Sequence, residues 1–250
     1  MHLLRFIVRF IAVALWVLFG IVLLALYYKW SAVATQDRLN RWWSRWLLRL
    51  CGVRVRVRGS PPPAGAALVV ANHVSWLDIY VLASVRATLF VGKRELRDWP
   101  VLGWMIAAVG TIFIERGNRR AVHQVSLAMQ ERFDRGQLVG LFPEGTTSDG
   151  LDLLPFHAGL FEAALRTGVA VQPVALRYLH AGRRSGFAAY TGDESLLGNA
   201  WRVLGDGRVE VEVDYAPPLA TAPEAPEAAS RHALAEAAHR TIRAAVIRPD

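Results

Sequence analysis

The pattern of polar and apolar positions divides the chain into three stretches. From Phe10 to Tyr28, nineteen consecutive residues carry no charge, among them Ile11, Val13, Leu15, Val17, Leu18 and Ile21. At a rise of about 1.5 Å per residue the run reaches roughly 28 Å, close to the hydrocarbon thickness of a bilayer, and it predicts a membrane helix over about 10–28. Tyr27, Tyr28 and Trp30, with Lys29 among them, suit the interfacial end of such a helix. A cleaved signal peptide competes with this reading because Ala32-Val33-Ala34 resembles a cleavage site, although the apolar run is longer than such peptides use. A core helix competes too, and apolarity on every side argues against it.

Between Gln36 and Leu50 the pattern becomes helical. Leu39, Trp42, Trp43, Trp46, Leu47 and Leu50 follow the i, i+3, i+4, i+7 spacing, with Arg38, Arg41, Arg45 and Arg49 largely off that stripe. Tryptophan on one face and arginine on the other predict an amphipathic helix, about 36–50, lying in the headgroup plane. The alternative is the same helix packed on the protein body.

From Val53 the period changes to two. Val53-Arg54-Val55-Arg56-Val57-Arg58 is a strand with one buried and one wet face. Strand-like runs follow at 67–71, 88–92, 111–114, 138–142, 169–176 and 208–214, separated by helical patterns near 76–86, 101–109, 118–134, 157–167 and 194–204. This alternation predicts an α/β domain with a central β-sheet flanked by helices. The expected organisation is a membrane anchor over 1–52, the α/β domain over 53–216, and a Pro/Ala linker with a C-terminal amphipathic helix over 217–250.

Charge sharpens this picture. The net charge is +8, but residues 1–58 carry ten basic side chains and one acid, so all of the excess lies beside the hydrophobic segment. Anionic membrane lipid is therefore the expected partner, and nucleic acid is not. Five basic residues follow the apolar run within about twenty positions and two precede it, which places the body on the cytoplasmic side of the inner membrane. The single cysteine, Cys51, excludes an intrachain disulfide and any cysteine-based zinc site within one chain, and reads as a small buried hydrophobe. No pair of histidines has the short spacing of a zinc hydrolase.

Candidate chemistry sits at strand ends. In Asn72-His73-Val74-Ser75-Trp76-Leu77-Asp78, directly after the 67–71 strand, a histidine and a carboxylate lie five residues apart. A neutral imidazole can take a proton from a hydroxyl, with the carboxylate fixing its tautomer. Equally, Ser75 and Asp78 have the spacing of a capping box, which leaves His73 an ordinary turn residue. Phe142-Pro143-Glu144-Gly145-Thr146-Thr147-Ser148 ends another strand in a turn rich in backbone donors, which reads as an anion site or simply as a loop. Gly110 to Arg116 and Val171 to Val174 complete the set; a strand-end arginine can clamp a phosphate or merely be solvated.

Taken together, these four motifs resemble the lysophosphatidic acid acyltransferase (1-acyl-sn-glycerol-3-phosphate acyltransferase) family of glycerolipid acyltransferases, over roughly residues 65 to 180. His73 and Asp78 match the family's His-x4-Asp, Arg116 closes its Gly-x-x-Phe-Ile-x-Arg, Glu144, Gly145 and Thr146 belong to its Phe-Pro-Glu-Gly-Thr, and Gly92-Lys93-Arg94-Glu95-Leu96 matches its basic segment. The resemblance implies a glycerolipid acyltransferase-like fold and transfer of a fatty acyl group from acyl-CoA or acyl carrier protein to the free hydroxyl of lysophosphatidate. It implies His73 as general base, Asp78 as its orienting partner, and Lys93, Arg116, Glu144, Gly145 and Thr146 as substrate-binding residues, with no cofactor and no metal. Thr147 stands where many members carry arginine, which leaves another lysolipid, such as lyso-ornithine lipid, as an alternative acceptor. Of the rival classes, a serine esterase lacks its Gly-x-Ser-x-Gly elbow, since Gly182-Arg183-Arg184-Ser185-Gly186 has the wrong spacing. A non-enzymatic, lipid-binding surface protein accounts for residues 1–58 but leaves the ordered motifs unexplained.

Overall fold

The structure is a computed structural model that describes residues 1–115, 119–221 and 230–249. Arg116 and residues 222–229 of the expected linker lie outside the described residues.

Seven strands form one continuous path, β1 (Val53–Gly59), β8 (Val209–Tyr215), β6 (Val171–His180), β2 (Ala67–Ala71), β5 (Leu138–Leu141), β3 (Leu89–Lys93) and β4 (Ile112–Ile114), while the short β7 (Arg183–Arg184) pairs with β6. All neighbours on the path run parallel except β6 and β8. In β2 the alternation works on both faces. Ala67, Val69 and Ala71 enter one core with helices α2 (Val33–Cys51), α3 (Asp78–Val85) and α7 (Leu196–Asp206). Leu68 and Val70 enter the other, with α5 (Arg119–Asp134), α6 (Phe161–Thr167) and α8 (Arg231–Val246). A strand buried on both faces reads as a continuous apolar run, as this one does. The two edge-side strands are matched in charge. Val-Arg-Val-Arg-Val-Arg of β1 lies in register with Val-Glu-Val-Glu-Val-Asp of β8, and Arg56 meets Glu210 at 3.0 Å and Arg58 meets Glu212 at 2.8 Å.

The N-terminal helix differs from its sequence-based limits. It runs His2–Leu26 (α1) instead of 10–28, because Arg5 and Arg9 continue the helix and end on protein acceptors. Arg9 donates to Leu204 O at 3.0 Å and Arg5 to the carbonyls of Gly205 and Asp206, so two cations sit at the C-terminal, negative end of α7. Farther along, Trp16 Nε1 donates to Trp43 O at 3.2 Å, and Gly20 lies so close to the Trp43 indole that an added Cβ would stand 2.8 Å from its nitrogen. One face of α1 is thus applied to the body, while Leu4, Ile11, Leu15, Leu18 and Val22 stay exposed.

Helix α2 divides its apolar residues between two jobs. Leu47, Leu48 and Cys51 are in the core, and Trp42 and Trp46 are 41% and 42% exposed. The packed alternative therefore describes its C-terminal half. Beyond β3 the chain makes a short 3-10 turn and then α4 (Leu102–Ala108), which flanks the β3–β4 edge.

Candidate active site

The carboxyl ends of β2, β3 and β5 open on one crevice, the usual ligand position in an open parallel sheet. His73 leaves the end of β2 two residues after Ala71, and its loop is pinned on all sides. Asn72 uses its side-chain amide as a strand partner, with Nδ2 donating to Leu176 O at 3.0 Å and Oδ1 accepting from Leu176 N at 2.8 Å. Ser148 N donates to His73 O at 2.8 Å, and Tyr190 N to Val74 O at 2.9 Å.

His73 Nδ1 and Asp78 Oδ2 are 2.8 Å apart. Facing an acceptor-only carboxylate, Nδ1 carries the proton and Nε2 keeps its lone pair. Asp78 is fully buried, and its charge is met by four donors: His73 Nδ1, Val74 N at 2.7 Å, Ser75 N at 3.0 Å, and the Tyr178 hydroxyl at 2.6 Å on the other carboxylate oxygen. Half of the capping box is present. Asp78 reaches back to Ser75 N, but the Ser75 side chain does not cap α3; Asp78 N bonds the Ser75 carbonyl instead. The imidazole ring stacks on Phe142 at 4.1 Å and 13°, and Phe142 stacks on Phe90. Gly140 makes room for that column, since a Cβ there would lie 2.5 Å from the Phe90 ring.

Glu144 ties the site's loops together through both of its carboxylate oxygens. It is 4% exposed, and its two carboxylate oxygens accept from His73 N at 2.7 Å and Leu154 N at 2.9 Å. Burial pushes its carboxyl above the ordinary value, against those two backbone bonds. Gly145 likewise shapes the turn, at φ +73° with the His157 ring beside it. Lys93 and Thr146 are brought to the same cavity as His73. So is Thr147, whose hydroxyl donates to Tyr190 O.

The cavity measures about 440 Å³. From His73 and Phe142 it runs between α1 and α4, walled by Val17, Leu23, Trp43, Leu89, Met105 and Ile106 among others. Its lining is mostly hydrocarbon and aromatic, with His73, Lys93, Thr146 and Thr147 among its polar groups, which suits a ligand with a polar head and a long apolar tail. Two residues of the site escaped the sequence reading. Tyr178 lies a hundred positions from Asp78, and Phe142 carries no role of its own in the sequence beyond opening the Phe-Pro-Glu-Gly-Thr match. A buried tyrosine hydroxyl needs a partner, and that is the one signal that marks Tyr178 in advance.

Comparison with known proteins adds four findings. The Acyltransferase family model matches residues 53–177. The 1-acyl-sn-glycerol-3-phosphate acyltransferase of Neisseria gonorrhoeae is 40% identical over 190 residues, 76% of this chain and 72% of that protein. The lyso-ornithine lipid O-acyltransferase of Pseudomonas aeruginosa is 38% identical over 216 residues, covering 84% and 79%. In shape, the crystal structure of the 1-acyl-sn-glycerophosphate (LPA) acyltransferase PlsC from Thermotoga maritima superposes with a TM-score of 0.72 at 20% identity, over 98% of this chain and 94% of that one.

Proposed function

The chain belongs to the acyltransferase family, and on that premise we propose that it transfers a fatty acyl group from an acyl thioester to the free hydroxyl of lysophosphatidate, giving phosphatidate in phospholipid biosynthesis. The observation that carries the reading is the His73–Asp78 pair, with His73 on the wall of a mostly apolar cavity. His73 Nε2 takes the proton of the lysolipid hydroxyl as its oxygen attacks the thioester carbonyl. The tetrahedral adduct then expels the thiolate, which takes the proton back from the imidazolium, so that ester and thiol leave. Asp78 holds the Nδ1–H tautomer and offsets the imidazolium charge. The cavity takes the acyl chain, while Lys93 and Thr146 face the headgroup. Arg116 belongs to the same role by its motif.

The donor is acyl-CoA or acyl carrier protein, both water-soluble, whereas acceptor and product live in the bilayer. The exposed apolar face of α1 and the Trp42 and Trp46 rings of α2 fit a site held at the inner-membrane surface, with the domain on the cytoplasmic side. Because protein lines α1 along its other face, we place this helix in one leaflet alongside the domain.

A second acceptor, lyso-ornithine lipid, is favoured by one observation. Thr147 supplies no charged donor, and its hydroxyl is already used on Tyr190. The test is a competition assay offering lysophosphatidate, lysophosphatidylcholine and lyso-ornithine lipid to purified enzyme, with His73→Ala alongside. Lysophosphatidate should be consumed first, and His73→Ala should lose about 100-fold or more in turnover. Preference for lyso-ornithine lipid moves the acceptor, and equal rates for wild type and His73→Ala sink the mechanism.

A further inference from the structure

Asp78 is the point at which a group outside the motifs enters the chemistry. Its Oδ2 serves the loop, accepting from His73 and from two backbone amides. Its Oδ1 is met by the hydroxyl of Tyr178, 2.6 Å away and on a different element, β6. Both residues are sealed from solvent, Asp78 completely and Tyr178 to 2%. The phenol holds its proton there, because burial, and then the charge of Asp78, push it well above its ordinary value. It is therefore a fixed donor. The strand places it without freedom: Val174 pairs with Ala71 at the end of β2, and Leu176 and Tyr178 continue along the same face, past the Asn72 clamp and under the turn.

We propose that Tyr178 is a positioning residue of the acyl-transfer reaction, acting through Asp78 to hold the carboxylate in line with His73 and to set how readily the pair gives up its proton. The inference rests on the reading of His73 as the base. Its physics is a competition for one charge. A hydroxyl bound to Oδ1 draws on the electron density that Oδ2 offers the imidazolium. Without that hydroxyl, whether the extra proton settles on His73 or on the carboxylate, the pair as a unit retains it to higher pH. The ionisable groups around the pair are Glu144, bonded to His73 N from the loop after β5, Lys93 at the end of β3, and Tyr80 of α3 and Tyr190, which line the same cavity. None of them is changed by a substitution at 178. The Ser75 hydroxyl lies beside the phenol, buried, and is likewise unchanged by that substitution.

The experiment compares wild type and Tyr178→Phe in detergent micelles, measuring kcat and KM for the acyl donor across pH and the His73 imidazole titration by NMR, with His73→Ala assigning the signal. For Tyr178→Phe the acid limb of kcat/KM and the His73 titration should both move to higher pH by about half a unit or more. On the plateau, kcat should fall about tenfold with KM within about twofold, as expected for a misaligned base. Incorporating 3-fluorotyrosine at 178 keeps the fold and strengthens the donor, and should move the limb the opposite way. A variant that is merely less stable, with limb and titration both in place, overturns the proposal. So does a fluorotyrosine enzyme that shifts in the same direction as phenylalanine. Wild type and His73→Ala with equal activity would instead overturn the general-base reading, and the NMR titration would still report whether Tyr178 acts on the pair.

Discussion

Glu144 shows what a single buried carboxylate does when both of its oxygens are committed. By accepting from His73 N and Leu154 N it ties the turn that carries His73 to the loop beyond the Gly-Thr-Thr turn. In Glu144→Gln the amide NH2 must face one of those N–H groups, leaving a buried donor unpaired, so the variant should lose about 1–3 kcal/mol of stability by denaturant titration. Asn72 makes a similar prediction by a different route. Its side chain completes the β2–β6 ladder where the backbone has already turned away, and Asn72→Ala strands both polar groups of Leu176. The expected cost is about 2 kcal/mol or more, with turnover falling because His73 is the next residue; a variant as stable as wild type would mean that water replaces the amide. At this scale, legibility follows sequence distance. His73 and Asp78 are close in the chain, and their spacing states both possible relationships, dyad and cap. Tyr178 is legible only once the register of β6 against β2 is known, because nothing local distinguishes it from another strand aromatic.

Among the elements, α2 separates two kinds of tryptophan that one periodic stripe treats alike. Trp42 and Trp46 are two-fifths exposed beside Trp16, and Arg49 lies over the Trp46 ring. Trp43 instead fills the space between Gly20 of α1 and Tyr80 of α3 and forms part of the cavity wall. Substituting Trp42 and Trp46 together with serine should weaken binding to anionic vesicles roughly tenfold or more, since withdrawing a large apolar face costs about 1.5–3 kcal/mol, while thermal stability stays near wild type. Trp43→Ser should do the reverse, lowering stability and long-chain turnover with vesicle binding retained. Cosedimentation and thermal unfolding together tell the two apart, and indistinguishable variants would mean that α2 acts as one surface. The helical period makes the stripe readable, but the period cannot say which turns of a helix lie against neighbours. The β1–β8 pair carried a stronger signal than alternation alone. Arginines on one strand and acids on the other, at matching positions, point to an adjacent pairing of first and last strands across the domain.

For the molecule as a whole, the apolar N-terminal helix and the cavity beside His73 are built together. Helix α1 is held at its start by Arg5 and Arg9 on the end of α7 and at its middle by Trp16 and Gly20 on Trp43. Between those holds and Tyr28 it contributes Val17, Leu23 and Leu24 to the cavity. Hydropathy makes the apolar run legible yet hides this, because a helix with one exposed apolar face and the other against an apolar cavity is apolar on both. It follows that loosening α1 should change substrate choice as well as anchoring. Replacing Arg5 and Arg9 with alanine removes charge-assisted bonds at a helix C-terminus, each worth about 0.3–1 kcal/mol, without touching the site. The hydrocarbon wall then closes less tightly on a long chain, where each buried methylene contributes about 0.8 kcal/mol, while a short chain that ends near His73 never reaches it. The expected outcome is a several-fold fall in the ratio of kcat/KM for a long-chain over a short-chain acyl thioester, measured in detergent so that membrane binding drops out of the comparison. Short-chain turnover should hold. An unchanged ratio would show that the packing of Trp43 against Gly20 alone sets the wall, and that the arginines at the N-terminus serve only to attach the helix.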